Sequence, residues 1–256
     1  MAAAPLEHYA TAQQIFAGAL VFARISGMIM TLPGLGDTPA PVRVRMAFAF
    51  LMCIVVAPVV APMLPATPPT LGELIADILR EVLIGLAIGG ILRIFMAAMA
   101  IAGEVISIAT TLSFAQTANP TQGQENTTLA TFLSLMAMVL IMSTDLHHLF
   151  IGAMVRSYTL FPYGKAEPIG DFAQLAIRTT GGAFALGIQL AAPILAFSLI
   201  FNIATGLVGR AMPQFQIFFA AAPLQVLLGL SLFALSMGLM GTYWLDRYRD
   251  VLQTFG

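Results

Sequence analysis

Residues 84–128 read IGLAIGGILRIFMAAMAIAGEVISIATTLSFAQTANPTQGQENTT, an apolar run that turns hydroxyl- and amide-rich from Gly103 to Thr128. Hydrocarbon offers no water to satisfy backbone N–H and C=O groups. Irregular polar sequence at membrane depth therefore survives only when buried in protein or facing an aqueous path. The 103–128 segment reads as a pore, a gate or a re-entrant loop.

That reading requires a membrane chain, and composition supplies one. Hydrophobic residues make up 59% of the 256 and charged residues only 9%, against about 25% charged in soluble domains. A net charge of -1 leaves no basic surface for nucleic acid and no acidic tail. The one cysteine, Cys53, excludes an internal disulfide and any CxxC motif and reads as a small core residue. The start, MAAAPLEHYATAQQ, lacks a basic n-region, so no cleaved signal peptide is expected.

Outward from the polar segment, apolar runs and Pro/Gly punctuation predict the helices, with roughly 20 residues needed per crossing. Ile15–Leu32 is the first, and Val44–Leu64 the second, with Pro58 and Pro62 near its end. Thr70 with Glu73 fits a capping box for the third, whose first turns carry Glu73, Asp77, Arg80 and Glu81 as a polar face. That helix runs on past Gly85, Gly89 and Gly90, small residues that let helices approach closely. Arg93 and Glu104 lie inside its apolar stretch and should face protein or water rather than lipid.

Beyond the segment, Leu129–Met142 is helical, STDLHH breaks it, and Leu149–Leu160 follows. From Thr179 to Gly209 there is no charge, a stretch of about 46 Å if one helix, beyond the ~30 Å of hydrocarbon. It reads either as a helical hairpin or as a helix bent at Pro193. Phe215–Leu245 closes the chain with an aromatic, charged end at Tyr243, Trp244 and Tyr248. The fold class is all-α: a polytopic helical membrane-complex subunit with long, kinked helices and helical hairpins. It forms a single domain over 1–256, with N-terminal helices at 11–102, a plug-type loop at 103–128 and C-terminal hairpins at 129–256.

Chemistry of the enzymatic kind has no anchor: GxxxxGK[ST], HExxH and GxSxG are all missing. His147 and His148 are adjacent, so on a helix they point about 100° apart and share no metal-binding face. They read as an interfacial cap near Asp145. Glu104, Glu125 and Asp145 are open to two readings, a proton path or water-facing carboxylates at helix ends. No cofactor is implied.

The pattern GEVISIATTLSFAQTANP, then FPYG, then FNIATGLVGRAMPQFQIFFAAAPLQVLLGL resembles the FliR family of flagellar biosynthetic proteins, the R-type export-gate subunits of type III secretion. Arg24, Gly27 and Pro33, followed by PVRVRMAFAF, fit the same family, and the likeness covers essentially the whole chain. It implies a non-enzymatic subunit of a hetero-oligomeric gate with P-type and Q-type membrane subunits. A larger gate protein with a cytoplasmic switch domain contacts that assembly, in the bacterial inner membrane and flagellar basal body. Unfolded export substrates would pass through its centre. Carried onto this chain, Leu112, Ser113, Phe114, Ala115, Gln116, Asn119 and Pro120 belong to a channel plug. Arg93, Glu104, Arg210 and Gln214 are polar residues for inter-subunit or structural contacts. Arg210 fits either a neighbouring subunit's helix end or a cap on its own helix. The chain departs from the family pattern at Gln116 and Thr117, where members often carry a second aromatic or bulky residue.

Two other functions compete. Broken helices and a polar midplane segment would also suit a small-solute secondary transporter, although no inverted repeat is evident. The equivalent subunit of a virulence injectisome shares the resemblance.

Overall fold

The computed structural model describes residues 4–32, 41–64, 70–113, 127–163, 169–212, 214 and 217–255. Among them there are seven α-helices and one 3₁₀ turn, with no strand. The helices are α1 (Ala4–Thr31), α2 (Val42–Val60), α3 (Leu71–Ala109), α4 (Thr128–Ser143), α5 (Leu146–Leu160), α6 (Ile169–Ala211) and α7 (Ile217–Phe255); the 3₁₀ turn Ala61–Met63 follows α2. Among the described residues, five helical stretches are each long and apolar enough to cross a membrane: Gln14–Thr31, Val42–Met63, Leu71–Ala109, Ala173–Ala211 and Phe219–Leu252.

Two boundaries differ from the sequence reading. The charge-free stretch 179–209 lies within one continuous 43-residue helix, α6, which carries Pro193 inside it and replaces the hairpin alternative. The polar segment begins while α3 is still helical, because Gly103–Ala109 form its last two turns. Val105, Ile106 and Ile108 keep that stretch helix-compatible, and irregular backbone starts only at Thr110.

The helices pack as two compact units. One comprises residues 1–94, 145–179 and 250–256. Its core is built from Leu20, Val21, Ile25 and Ile29 of α1 against Ile84 and Ile88 of α3, with Ala153 and Met154 of α5. Here α1 and α3 touch backbone to backbone. A Cβ placed on Gly85 would lie 2.2 Å from the Arg24 carbonyl oxygen, and one on Gly27 would lie 2.7 Å from that of Val82. Gly89 meets the Met28 carbonyl in the same way, at 2.7 Å, whereas Gly90 faces open space. Cys53 is a buried core residue whose Sγ donates to the Gly18 carbonyl across 3.3 Å. Beside it, Phe22 and Phe50 meet edge to face at 6.4 Å.

The other unit comprises residues 95–144 and 180–249. It buries Ala98, Met99, Ala102 and Ile106 of α3 with Ala130, Leu133 and Ala137 of α4, Leu190 and Ile194 of α6, and Trp244 of α7. Close approach recurs: a Cβ on Gly103 would meet the Ala130 Cα at 2.4 Å, which holds α3 and α4 in backbone contact. Gly187 of α6 lies against the Ala98 carbonyl and Ile101 of α3. Trp244 stacks on Tyr248 at 4.9 Å.

Candidate gate loop and its supports

The segment between α3 and α4 is held at both ends by side chains that sit within apolar helices. At its start, the last turn of an α-helix leaves carbonyls without intrahelical partners. The Ala109 carbonyl is one of these, and it accepts from Ser198 Oγ of α6 at 2.7 Å and from Gln225 Nε2 of α7 at 2.9 Å. Thr110 turns its hydroxyl back onto the Ile106 carbonyl at 2.8 Å. Gly229 of α7 gives Thr110 room, since a Cβ there would lie 2.4 Å from the Thr110 methyl. Thr111 then adopts φ 60, a left-handed conformation that is a genuine outlier for a β-branched residue and costs about 1–2 kcal/mol.

At the far end, Thr127 is the N-cap of α4 and its hydroxyl accepts from the Ala130 N–H. The Thr127 N–H donates to Glu104 Oε1 at 2.7 Å, so a carboxylate on α3 ties down the residue that opens α4. A negative group at a helix N-terminus is also favoured by the helix dipole. Glu104 therefore works within the chain. A charge-assisted hydrogen bond contributes about 1.5–3 kcal/mol. Glu104→Ala is expected to destabilise the fold by that order, read as a lower melting temperature of the purified assembly, and Glu104→Gln, which keeps an acceptor oxygen, by less.

Leu112 and Ser113 follow the strained Thr111 and are half-buried. Phe114, Ala115, Gln116, Asn119 and Pro120 lie outside the described residues, as do Pro33 and Glu125. Arg93, Arg210 and Gln214 are exposed.

Sequence reasoning passed over Ser198 and Gln225 as supports. The available signal was their isolation: Gln225 is the only amide between Ile217 and Met240, and Ser198 sits in a charge-free stretch with Asn202 one turn on. The Asn202 amide reaches Ser198 Oγ at 3.4 Å, so the hydroxyl that donates to Ala109 is itself polarised.

A second polar site lies in the N-terminal unit and corrects the reading of the α3 polar face. The capping box forms through its backbone half, with Glu73 Oε2 accepting from the Thr70 N–H at 3.0 Å. Glu81, however, is buried and pairs with Arg24 of α1, through contacts of 2.5 and 2.9 Å. The same guanidinium donates to the carbonyls of Ser157 at 2.9 Å and Phe161 at 3.1 Å at the C-terminal end of α5, where the Ser157 carbonyl also accepts the Phe161 N–H. It also lies 4.0 Å over the Tyr158 ring. Asp77 instead accepts from the Tyr163 hydroxyl. Burial, reinforced by that bond to Asp77, pushes the Tyr163 phenol up to about 12, so it remains a protonated donor at neutral pH.

The histidine reading is also corrected. His147 and His148 do not diverge, since their rings lie 4.2 Å apart. Asp145, at φ 56, leads into the first turn of α5, where positions i and i+3 share a face. Ligand atoms of Asp145, His147 and His148 fall within 4.8 Å of one another. First-row metal ligands at bonds of 2.0–2.1 Å stand only about 3.3 Å apart, so the trio would have to contract to hold an ion.

Set against known proteins, residues 15–251 match the family described as Bacterial export proteins, family 1. The chain belongs to this family. It is 54% identical over 247 residues to the flagellar biosynthetic protein FliR of Caulobacter vibrioides, covering 96% of this chain and 98% of that one. Identity is 31% over 223 residues to FliR of Escherichia coli, with 86% and 84% covered. To FliR of Bacillus subtilis it is 29% over 213 residues, with 81% and 80% covered. As a member of the FliR family of export proteins, the chain is a component of the flagellar export apparatus and not an enzyme. Membership also makes it part of a multi-subunit export complex.

Proposed function

We propose that this export protein helps form the central channel for unfolded flagellar proteins, and that the loop leaving α3 at Ala109 and returning at Thr127 plugs it. The observation that carries the reading is the double anchoring of that segment. Both of its ends are fixed to packed helices by buried or half-buried hydrogen bonds, while its sequence is rich in amides and hydroxyls. A connection that served only to join two helices already in backbone contact would need no such length. Within the loop, Leu112, Phe114 and Ala115 would form an apolar constriction, which blocks ions by dewetting. Ser113, Gln116, Asn119, Gln122 and Asn126 would satisfy loop backbone.

The partners are the P-type and Q-type membrane subunits, with the larger gate protein outside them, in the inner membrane at the flagellar basal body. Apolar residues left exposed on this chain support such company, among them Phe50, Leu51, Ile54 and Val55 of α2 and Leu199, Ile200, Ile203 and Leu207 of α6. A chain with this much uncovered apolar surface is covered by lipid or by other subunits. The flagellar names of the relatives above favour this system over the injectisome.

Replacing residues 110–122 by a shorter Gly/Ser loop is expected to raise the permeability of cells to ions and small solutes while secretion is idle. Unchanged permeability, with the subunit shown by co-purification to be assembled, would remove the plug role. A chain that purifies alone and binds a solute would instead point to a transporter.

A further inference from the structure

We infer that Ser198 and Gln225 are positioning residues for the gate loop: together they clamp the Ala109 carbonyl and so fix the end of α3 from which the loop departs. The inference rests on the plug reading and adds to it the side chains that set the loop's posture.

Three observations converge on this clamp. The first is chemical economy at one atom. Ala109 O is the carbonyl that α3 leaves behind as its backbone turns away, and it takes two donors from two different helices. The donors are linked, since Gln225 Nε2 also lies 3.4 Å from Ser198 Oγ. Both side chains are buried, at 6% and 5% exposure, among apolar residues. There a lone serine or glutamine would be costly unless its donors were used.

The second observation is strain. Thr111 holds φ 60 two residues past the clamp, and a β-branched residue stays in that region only when its surroundings over-determine it. Residues 106–110 supply part of that constraint through Thr110, whose N–H and hydroxyl both bond to the Ile106 carbonyl. The clamp supplies the rest by preventing the last turn of α3 from fraying. The third is packing: Gly229, one turn beyond Gln225 on α7, leaves the space that Thr110 occupies. One face of α7 thus presents both the donor and the recess. Movement of α6 or α7 would reach the loop through a single carbonyl.

The test uses the assembled export complex carrying this chain. Gln225→Met keeps length and apolarity but loses the donor, Ser198→Ala loses the hydroxyl, and Ser198→Thr keeps it. Hydrogen–deuterium exchange should show the amides of Thr110–Ser113 exchanging roughly tenfold faster in a Gln225→Met/Ser198→Ala double variant. Peptides from α4 should be unchanged, and Ser198→Thr should behave as the parent. Idle cells carrying the double variant should leak, with the complex still co-purifying intact. Unchanged exchange at Thr110–Ser113 would overturn the clamp whatever the loop does. Faster exchange without leak, in a strain where the Gly/Ser loop replacement does leak, would overturn its role in closing the gate. A loop replacement that leaves cells tight would remove the plug reading instead, and the exchange result alone would then decide whether Ser198 and Gln225 fix the α3 end.

Discussion

Glu81→Leu is expected to destabilise the N-terminal unit by about 3–5 kcal/mol, the scale for a buried charge left without its partner. Every N–H of the Arg24 guanidinium is engaged. Nε and one Nη2 hydrogen point to Glu81, the other Nη2 hydrogen to the Phe161 carbonyl, and Nη1 to the carbonyl and hydroxyl of Ser157. Arg24 and Glu81 are 0% and 1% exposed. Removing the carboxylate leaves a cation with two idle donors and no water to accept them. Arg24→Met removes the charge and the cap on α5 but strands the carboxylate, and should cost a similar amount. The double variant Arg24→Met/Glu81→Leu should cost less than either single change, because no charge is then buried alone, although the Phe161 carbonyl still loses the guanidinium and the Ser157 carbonyl keeps only the Phe161 N–H. Thermal melting of the purified complex, with the cellular abundance of the chain, reads all three. Single variants no worse than the double would show that the pair is not held as a buried ion pair.

How much of this was legible in the sequence depends on the kind of signal. Long apolar runs are additive over many residues, so the helices and the membrane class followed from the composition and spacing of stretches such as 179–209. The capping box at Thr70 and Glu73 and the close packing at the α3 glycines are local patterns with one physical cause each; the structure forms the Glu73 half of the box and the close approach at Gly85 and Gly89, though not at Gly90. Tertiary partners are different. Glu81 looked like one more charge on a polar helix end, with Arg80 as its neighbour in sequence, yet its partner lies 57 residues away on α1. Arg24 stood out only through the family pattern. The Ala109 clamp joins residues 89 and 116 positions apart, which no periodicity reports. Glu104 was singled out as an isolated charge in an apolar run, and its partner proved to be a backbone N–H 23 residues on. A polar residue alone in an apolar helix announces that it has a partner, not which one.

Gly85→Ala is expected to destabilise the same unit by about 3 kcal/mol, at the upper end of overpacking costs. The reason is what the new methyl would meet. Its Cβ would stand 2.2 Å from the Arg24 carbonyl oxygen and 3.0 Å from the Met28 nitrogen, both backbone atoms of α1. A flexible side chain could swing aside; a helix backbone can yield only by moving as a whole. Gly85 lies one turn beyond Glu81 on α3, and the atom it touches belongs to Arg24, so separating the helices also stretches the ion pair. The two effects should therefore be non-additive: Gly85→Ala should cost less in an Arg24→Met/Glu81→Leu background than in the parent, since neighbours in one network couple. Gly90→Ala is the matched control. It lies on the same helix with nothing within 4 Å of a built Cβ, so the higher helix propensity of alanine, worth up to about 1 kcal/mol, should leave stability unchanged or raised. Equal losses at Gly85 and Gly90 in melting of the complex would mean that backbone contact between α1 and α3 is not what these glycines provide.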